Sequence, residues 1–273
     1  MIKRVLKKIR NLLVKRDTKI IAIPQIVDRD NSLSGRVVLV TGGTSGIGLA
    51  IAHAVIRNGG KVIVCGSSQG KLEAALQELG NENAKGLKWD ITNYSNMNDM
   101  LQQAIGIIPN QRIDTLVNCA GLTTKGNFFS TTEEEYDRIM NLNVKSVWLL
   151  CRTFSQYWID NKVKGHILNI SSSSALKPAW GPYQMSKWAV RGLTIGLAEE
   201  LSPYGITVNA IGPGKTATPM MGADNDNIVC EAQPSKRFVT TDEVANLAIF
   251  LIGDTGNMIM GDTVYITGGT GLF

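Results

Sequence analysis

Arg36-Val37-Val38-Leu39-Val40-Thr41-Gly42-Gly43-Thr44-Ser45-Gly46-Ile47-Gly48, residues 36–48, is the stretch that decides the fold. Its first half is a continuous, β-branched apolar run, as expected of a strand buried on both faces. The glycines then mark a tight turn, and helical spacing follows over 46–58. A strand, a glycine turn and a helix in that order form the context a dinucleotide site needs. Glycine lets the backbone turn sharply and approach a pyrophosphate, and the helix N-terminus offers free N–H groups and partial positive charge. The spacing is Gly-x-x-x-Gly-x-Gly rather than Gly-x-Gly-x-x-Gly, and alone it fits an ordinary tight turn as well.

Outward from that turn the chain keeps alternating. Further apolar runs at 61–65, 86–89, 113–118, 165–171, 206–211 and 262–267 read as strands. Segments 70–80, 95–106, 133–158, 182–202 and 240–252 read as helices between them. Alternation of this kind predicts a doubly wound α/β fold, a parallel seven-stranded sheet with helices on both faces. In such sheets ligands bind beyond the carboxyl ends of the strands. The residues just after each strand are therefore the site candidates.

Composition narrows the function classes. The chain has 273 residues and 44% hydrophobic content, enough for one large core. Its +5 charge is local: residues 1–20 carry eight basic residues against Asp17, a balance of +7, so the remainder sums to −2. Residues 2–13 space Ile2, Val5, Leu6, Ile9, Leu12 and Leu13 as one face of a basic amphipathic helix. The organisation expected is a 1–33 extension and a 34–273 domain. The extension fits packing on the body or a neighbouring subunit, peripheral contact of residues 1–16 with an anionic membrane, or a transit peptide. No aromatic in residues 1–16 offers a base-stacking platform, which argues against nucleic acid. Four scattered cysteines without a CxxC pair fit free thiols in a reducing, cytoplasmic compartment. No cluster has metal-ligand spacing, and His53 and His166 read as structural.

Tyr183-Gln184-Met185-Ser186-Lys187 begins a long helix, and positions i and i+4 share one face. A free tyrosine titrates near ~10 and is a poor base at neutrality. A neighbouring ammonium favours the phenolate, which suits proton exchange with a hydroxyl. A surface pair is the plain alternative. Its neighbourhood adds Ser171-Ser172-Ser173-Ser174, Asn118-Cys119-Ala120-Gly121 and Pro213-Gly214, each at a strand's carboxyl end. A serine there can donate to a carbonyl oxygen where negative charge develops.

From about residue 34 onward the chain resembles the classical short-chain dehydrogenase/reductase family. The resemblance rests on TGGTSGIG at 41–48, NCAG at 118–121, NLNV at 141–144, NISS at 169–172, YQMSK at 183–187 and NAIGPGKTATP at 209–219, in that order. It implies hydride transfer between a nicotinamide and a small carbonyl or alcohol substrate. It implies Tyr183 as general acid/base, Lys187 to lower the Tyr183 pKa and hold ribose hydroxyls, Asn143 in a water-linked proton path, and Ser172 on the carbonyl oxygen. The segment between serine and Tyr183 is shorter than in many relatives, which leaves Ser173 as a second candidate. Gly42, Thr44, Ser45, Gly46 and Gly48 are implied around the pyrophosphate, with Ile47 on the nicotinamide side. Asp90 is implied against adenine, Asn118, Ala120 and Gly121 at the adenosine ribose, and Thr216 and Thr218, after Pro213 and Gly214, at the carboxamide or phosphates. The resemblance also implies a homotetramer or dimer built through the helices bearing Asn143 and Tyr183.

The second strand ends in Gly66-Ser67-Ser68. NAD-preferring relatives usually carry an acid at the Gly66 position, which would repel a 2′-phosphate. Its absence, with Ser67, Ser68 and Lys71 as phosphate donors, favours NADP(H) over NAD(H), although the usual arginine is missing too. Trp180 is a candidate for the substrate pocket or the core, and the 220–236 segment lies where the family places a variable substrate lid, an ordinary surface loop being the alternative.

Overall fold

The computed structural model describes residues 31–80, 82–223 and 228–271. The amphipathic helix read over 2–13 lies outside the described residues. Seven strands and seven helices of at least eight residues alternate among the described residues: β1 (Val37–Thr41), α1 (Gly46–Arg57), β2 (Lys61–Gly66), α2 (Gln69–Leu79), β3 (Ala84–Lys88), α3 (Met97–Ile107), β4 (Thr115–Asn118), α4 (Glu133–Met140), α5 (Ser146–Asn161), β5 (His166–Ile170), α6 (Pro182–Leu201), β6 (Thr207–Pro213), α7 (Thr241–Ile252) and β7 (Thr263–Ile266). All strand pairs are parallel, in the order β3-β2-β1-β4-β5-β6-β7. The chain winds from β1 toward β3, then restarts on the other side of β1 with β4. That reversal is the switch point at which such sheets open a crevice.

Strand side chains alternate between two cores. Val38, Val40, Val62 and Val64 face α1, α2 and α7. Val37, Leu39, Ile63 and Cys65 face α3, α5 and α6. Burial on both faces is why β1 and β2 read as continuous apolar runs. The first core includes Leu33, which is fully buried and donates its N–H to Asn58 O. β3 is an edge strand and starts two residues earlier than the apolar run at 86–89 suggests. Lys85 and Lys88 are exposed on it, the kind of charge that blunts an open edge.

One element departs from its expected form. The single helix expected over 133–158 is α4, a π-helical turn at Asn141–Lys145, and then α5. Periodicity of apolar residues does not distinguish one inserted residue in a turn, so the break is invisible to that signal. Among the described residues, no helix is long and apolar enough to cross a membrane.

Candidate active site

A cleft of about 400 Å³ opens at the carboxyl ends of β1 to β6, over the switch point. Its floor is the glycine turn. Gly42 has φ +65°, and a Cβ on it would lie 2.7 Å from Ala120 Cα, so β1 and β4 meet at a contact only glycine permits. A Cβ on Gly48 would collide with Gly42 O. Ser45 caps α1 with no side-chain hydrogen bond, and the first turn of α1 holds no acidic residue. The free N–H groups at that terminus and its partial charge suit an anion. On these observations the residues fit a dinucleotide pyrophosphate.

Thr44, Ser45, Gly46 and Ile47 line this end of the cleft with Gly42 and Gly48. Pro213, Gly214, Thr216 and Thr218 line it from the β6 side, and Thr218 Cγ2 would stand 3.4 Å from a Cβ on Gly46. The β6 loop therefore closes over the start of α1. At the far end lie Gly66, Ser67, Ser68 and Lys71 after β2, and Trp89, Asp90 and Ile91 after β3. Asp90 Oδ1 accepts from the Thr92 N–H at 3.0 Å and the Thr92 hydroxyl at 2.6 Å, which fixes the carboxylate.

Ser172, Tyr183 and Lys187 also line the cleft, and Ser173 is not among its lining residues. Pro182 opens α6 with φ already helical, so Tyr183 and Lys187 sit in its first turns. The Tyr183 N–H donates to Thr124 Oγ1 at 3.3 Å. Ser172 Oγ accepts from the Ser174 N–H at 3.1 Å. Burial pushes the Tyr183 phenol above its ordinary value, and its hydrogen bond with Ser172 works against that shift. In the chain as it stands burial is the larger influence on the phenol, which stays protonated at neutral pH. Lys187 Nζ lies 5.7 Å from the Tyr183 ring centroid and donates to Ile170 O at 2.8 Å. Burial pulls its pKa down to about 8.

Asn143 is buried one layer behind the cleft, in the π-helical turn. Its Oδ1 accepts from the Leu122 N–H, and its Nδ2 donates to Leu122 O, both at 2.9 Å. Nδ2 also lies 3.0 Å from Ser186 Oγ, and that hydroxyl donates to Tyr183 O at 2.7 Å. Gly121 lies between: a Cβ on it would stand 3.4 Å from Asn143 Oδ1 and 3.8 Å from Lys187 Nζ.

Asn118 is not brought to the cleft. It is buried, and its Nδ2 donates to Asn169 Oδ1 at 2.9 Å. Its strand neighbours face alternate sides of the sheet, and Cys119, one residue on, lines the cleft with Ala120 and Gly121. Burial holds the Cys119 thiol up at about 12 despite the nearby Lys187, so it is neutral. The sequence reading also missed Trp89, Ile91, Leu122 and Leu142 as lining residues. Trp89 and Ile91 flank Asp90 and were open to inference from it; Leu122 and Leu142 carry no local signal beyond their neighbours. Met220 and Met221 line the cleft from the segment expected to hold a substrate lid, whereas Trp180 is half-exposed and not among the lining residues.

The family profile described as short chain dehydrogenase matches residues 36–228. The chain belongs to the short-chain dehydrogenase family. As a member it is an oxidoreductase acting on a CH–OH/C=O pair. It is 32% identical over 247 residues to a (hydroxy(phenyl)methyl)succinyl-CoA dehydrogenase subunit of Thauera aromatica, covering 88% of this short-chain dehydrogenase and 98% of the relative. It is 31% identical to a 3-oxoacyl-(acyl-carrier-protein) reductase of Aquifex aeolicus, covering 87% and 98%. A 3-ketoacyl-(acyl-carrier-protein) reductase from Brucella melitensis, solved in complex with NADH, superposes with a TM-score of 0.79 at 28% identity, covering 87% of this chain and 99% of that one.

Proposed function

We propose that this short-chain dehydrogenase is an NADPH-preferring reductase of a ketone or a 3-oxoacyl thioester. The observation that carries the reading is the meeting of Ser172, Tyr183 and Lys187 at one wall of a cleft whose floor is a glycine turn. A bound nicotinamide would supply the hydride. Ser172 Oγ donates a hydrogen bond to the substrate carbonyl oxygen, where negative charge grows. Tyr183 Oη, protonated at neutral pH, gives its proton to that oxygen. Lys187 Nζ has donors beyond its bond to Ile170 O. They serve the ribose hydroxyls, and its charge steadies Tyr183 as the proton leaves. Asn143 holds Leu122 and, through Ser186, the turn of α6 that carries Tyr183.

For the cofactor, Gly66 leaves no carboxylate to repel a 2′-phosphate, and Ser67, Ser68 and Lys71 line the cleft beside it. The thioester class is supported by the acyl-carrier and CoA substrates named for the relatives. Leu122, Leu142, Met220 and Met221 give an apolar wall that suits it. Exposed Trp148 on α5 and Trp188 and Ile195 on α6 support a homo-oligomer built through those helices. A cytoplasmic setting is consistent with the free cysteines.

Titration of the purified protein with NADPH and NADH, followed by nicotinamide fluorescence, tests the reading, with turnover of 3-oxoacyl thioesters as the second readout. NADPH binds more tightly, and Tyr183→Phe lowers kcat by ~10² to 10⁴ while still binding nucleotide. Tighter NADH binding favours an NAD-linked alcohol or sugar dehydrogenase. Binding of neither overturns the proposal.

A further inference from the structure

The π-helical turn at Asn141–Lys145 is held by groups outside the reacting set. In an uninterrupted α-helix the Lys145 N–H would bond to Asn141 O. Here the Ser146 N–H takes that place, one residue later. Two hydroxyls converge on the same oxygen: Ser146 Oγ at 2.8 Å and Tyr94 Oη at 3.0 Å. Ser146 Oγ is also 2.9 Å from Leu142 O, so its one proton is shared between the two carbonyls. Tyr94 Oη donates to Asn141 O and is also in hydrogen-bond contact with the Ser146 hydroxyl. Lys145 Nζ sits 4.4 Å from the Tyr94 ring centroid and packs the ring against the turn.

Register matters at this point because Asn143 lies inside the turn. An α-helix advances about 100° per residue. Reversion to α register would rotate the Asn143 amide away from Leu122 and Ser186. Tyr94 itself follows Trp89, Asp90 and Ile91, which line the far end of the cleft. One short segment therefore touches both the cofactor end of the cleft and the turn behind Tyr183.

We propose that the Tyr94 hydroxyl is a positioning group that locks the 141–145 turn in π register and so holds Asn143 against Leu122 and Ser186. The inference rests on the roles proposed for Asn143 and Tyr183. Tyr94 touches no reacting atom; it acts through Asn143. Burial raises the Tyr94 pKa, which keeps the hydroxyl a donor through neutral pH.

Tyr94→Phe deletes the hydroxyl and keeps the ring over Lys145. We expect kcat to fall by about tenfold while the nucleotide KM changes by less than about twofold. In an Asn143→Ala background the same substitution should change kcat by less than about twofold, since the group it positions is gone. Amide exchange of Leu122 and of residues 141–146 should speed up in Tyr94→Phe, with strands β1 and β5 unchanged. A kcat within twofold of the parent, an additive fall in the Asn143→Ala background, or unchanged exchange overturns the lock. Should Tyr94→Phe fail to fold, Ser146→Ala removes the other hydroxyl on the same oxygen and is read in the same way. A parent protein that turns over no carbonyl substrate refutes the proposed function, and the exchange measurement then decides the lock by itself.

Discussion

Gly66 ends β2 with no room reserved for a side chain: a Cβ there would lie 2.7 Å from Thr44 Cγ2. The Thr44 methyl occupies the space that a side chain at position 66 would enter. Because the obstacle is the end of a rotatable side chain, an acid at position 66 is tolerated once Thr44 turns. In Gly66→Asp the new carboxylate accepts from a ribose 2′-hydroxyl and repels a 2′-phosphate. NADPH affinity should fall by about tenfold or more, with NADH affinity held or improved. The fluorescence titration checks this directly. An unchanged NADPH affinity would mean that the 2′-phosphate is held elsewhere than beside Ser67, Ser68 and Lys71. At this scale the chemistry is set by what burial does to each group. The same cleft keeps the Cys119 thiol neutral, the Tyr183 phenol protonated and the Lys187 ammonium weakened.

Between elements, a buried polar chain ties the sheet to the helices behind the site. Asn118 on β4 donates to Asn169 on β5, and Asn169 Nδ2 lies 3.0 Å from Thr194 Oγ1 on α6, whose hydroxyl donates to Val190 O. Asn169→Ala would leave the Asn118 amide only the weak acceptor Cys151 Sγ, at 3.3 Å, and a Thr194 acceptor unmet in a closed core. Unpaired buried groups of this kind cost on the order of 3 kcal/mol. Urea denaturation should show a lower midpoint with the slope unchanged; a shift worth under about 0.5 kcal/mol would show that the chain of bonds adds little. Asn118 also shows where letters stop informing. The NCAG segment placed the strand end correctly, because apolar runs and small-residue turns are local signals. Which of two adjacent residues faces the cleft depends on pleat, and there Cys119 rather than Asn118 lines it. The π-helical turn escaped for a related reason. One of its partners is Tyr94, 47 residues upstream of Asn141, and no window of helical periodicity contains both. The glycine turn, Tyr183 and Lys187 were legible because backbone geometry and one helical turn fix their relations within a few residues.

For the molecule as a whole, the end of the sheet opposite the cleft holds its own titratable cluster. His166 begins β5 buried, with Nδ1 2.8 Å from Thr207 Oγ1 and its backbone N–H on Asp114 O at 2.8 Å. Burial, then the Arg36 charge, lower its pKa to about 4, with Asp254 pulling the other way. The folded chain thus keeps His166 neutral where the unfolded chain, near ~6.5, would charge it. Between those values the unfolded state binds more protons, so this stabilisation is full above pH ~6.5 and is lost as pH falls toward 4. The total is on the order of 3 kcal/mol. Asp114 acts with the opposite sign: burial raises its pKa, so the folded state takes up its proton first and gains on acidification. Its contribution is gained as pH falls toward the ordinary carboxylate value of ~4 and opposes that of the histidine. Stability measured by urea at pH 7, 6, 5 and 4.5 should therefore fall steadily, and His166→Gln, which cannot charge, should flatten that slope. An equal slope in the variant would move the acid sensitivity to groups other than His166. Because β5 runs from His166 at one end to Ile170, whose carbonyl holds Lys187, at the other, charging the histidine should loosen the site only as the sheet itself opens. Activity lost on brief exposure to pH 5 should then return on neutralisation in step with refolding rather than ahead of it.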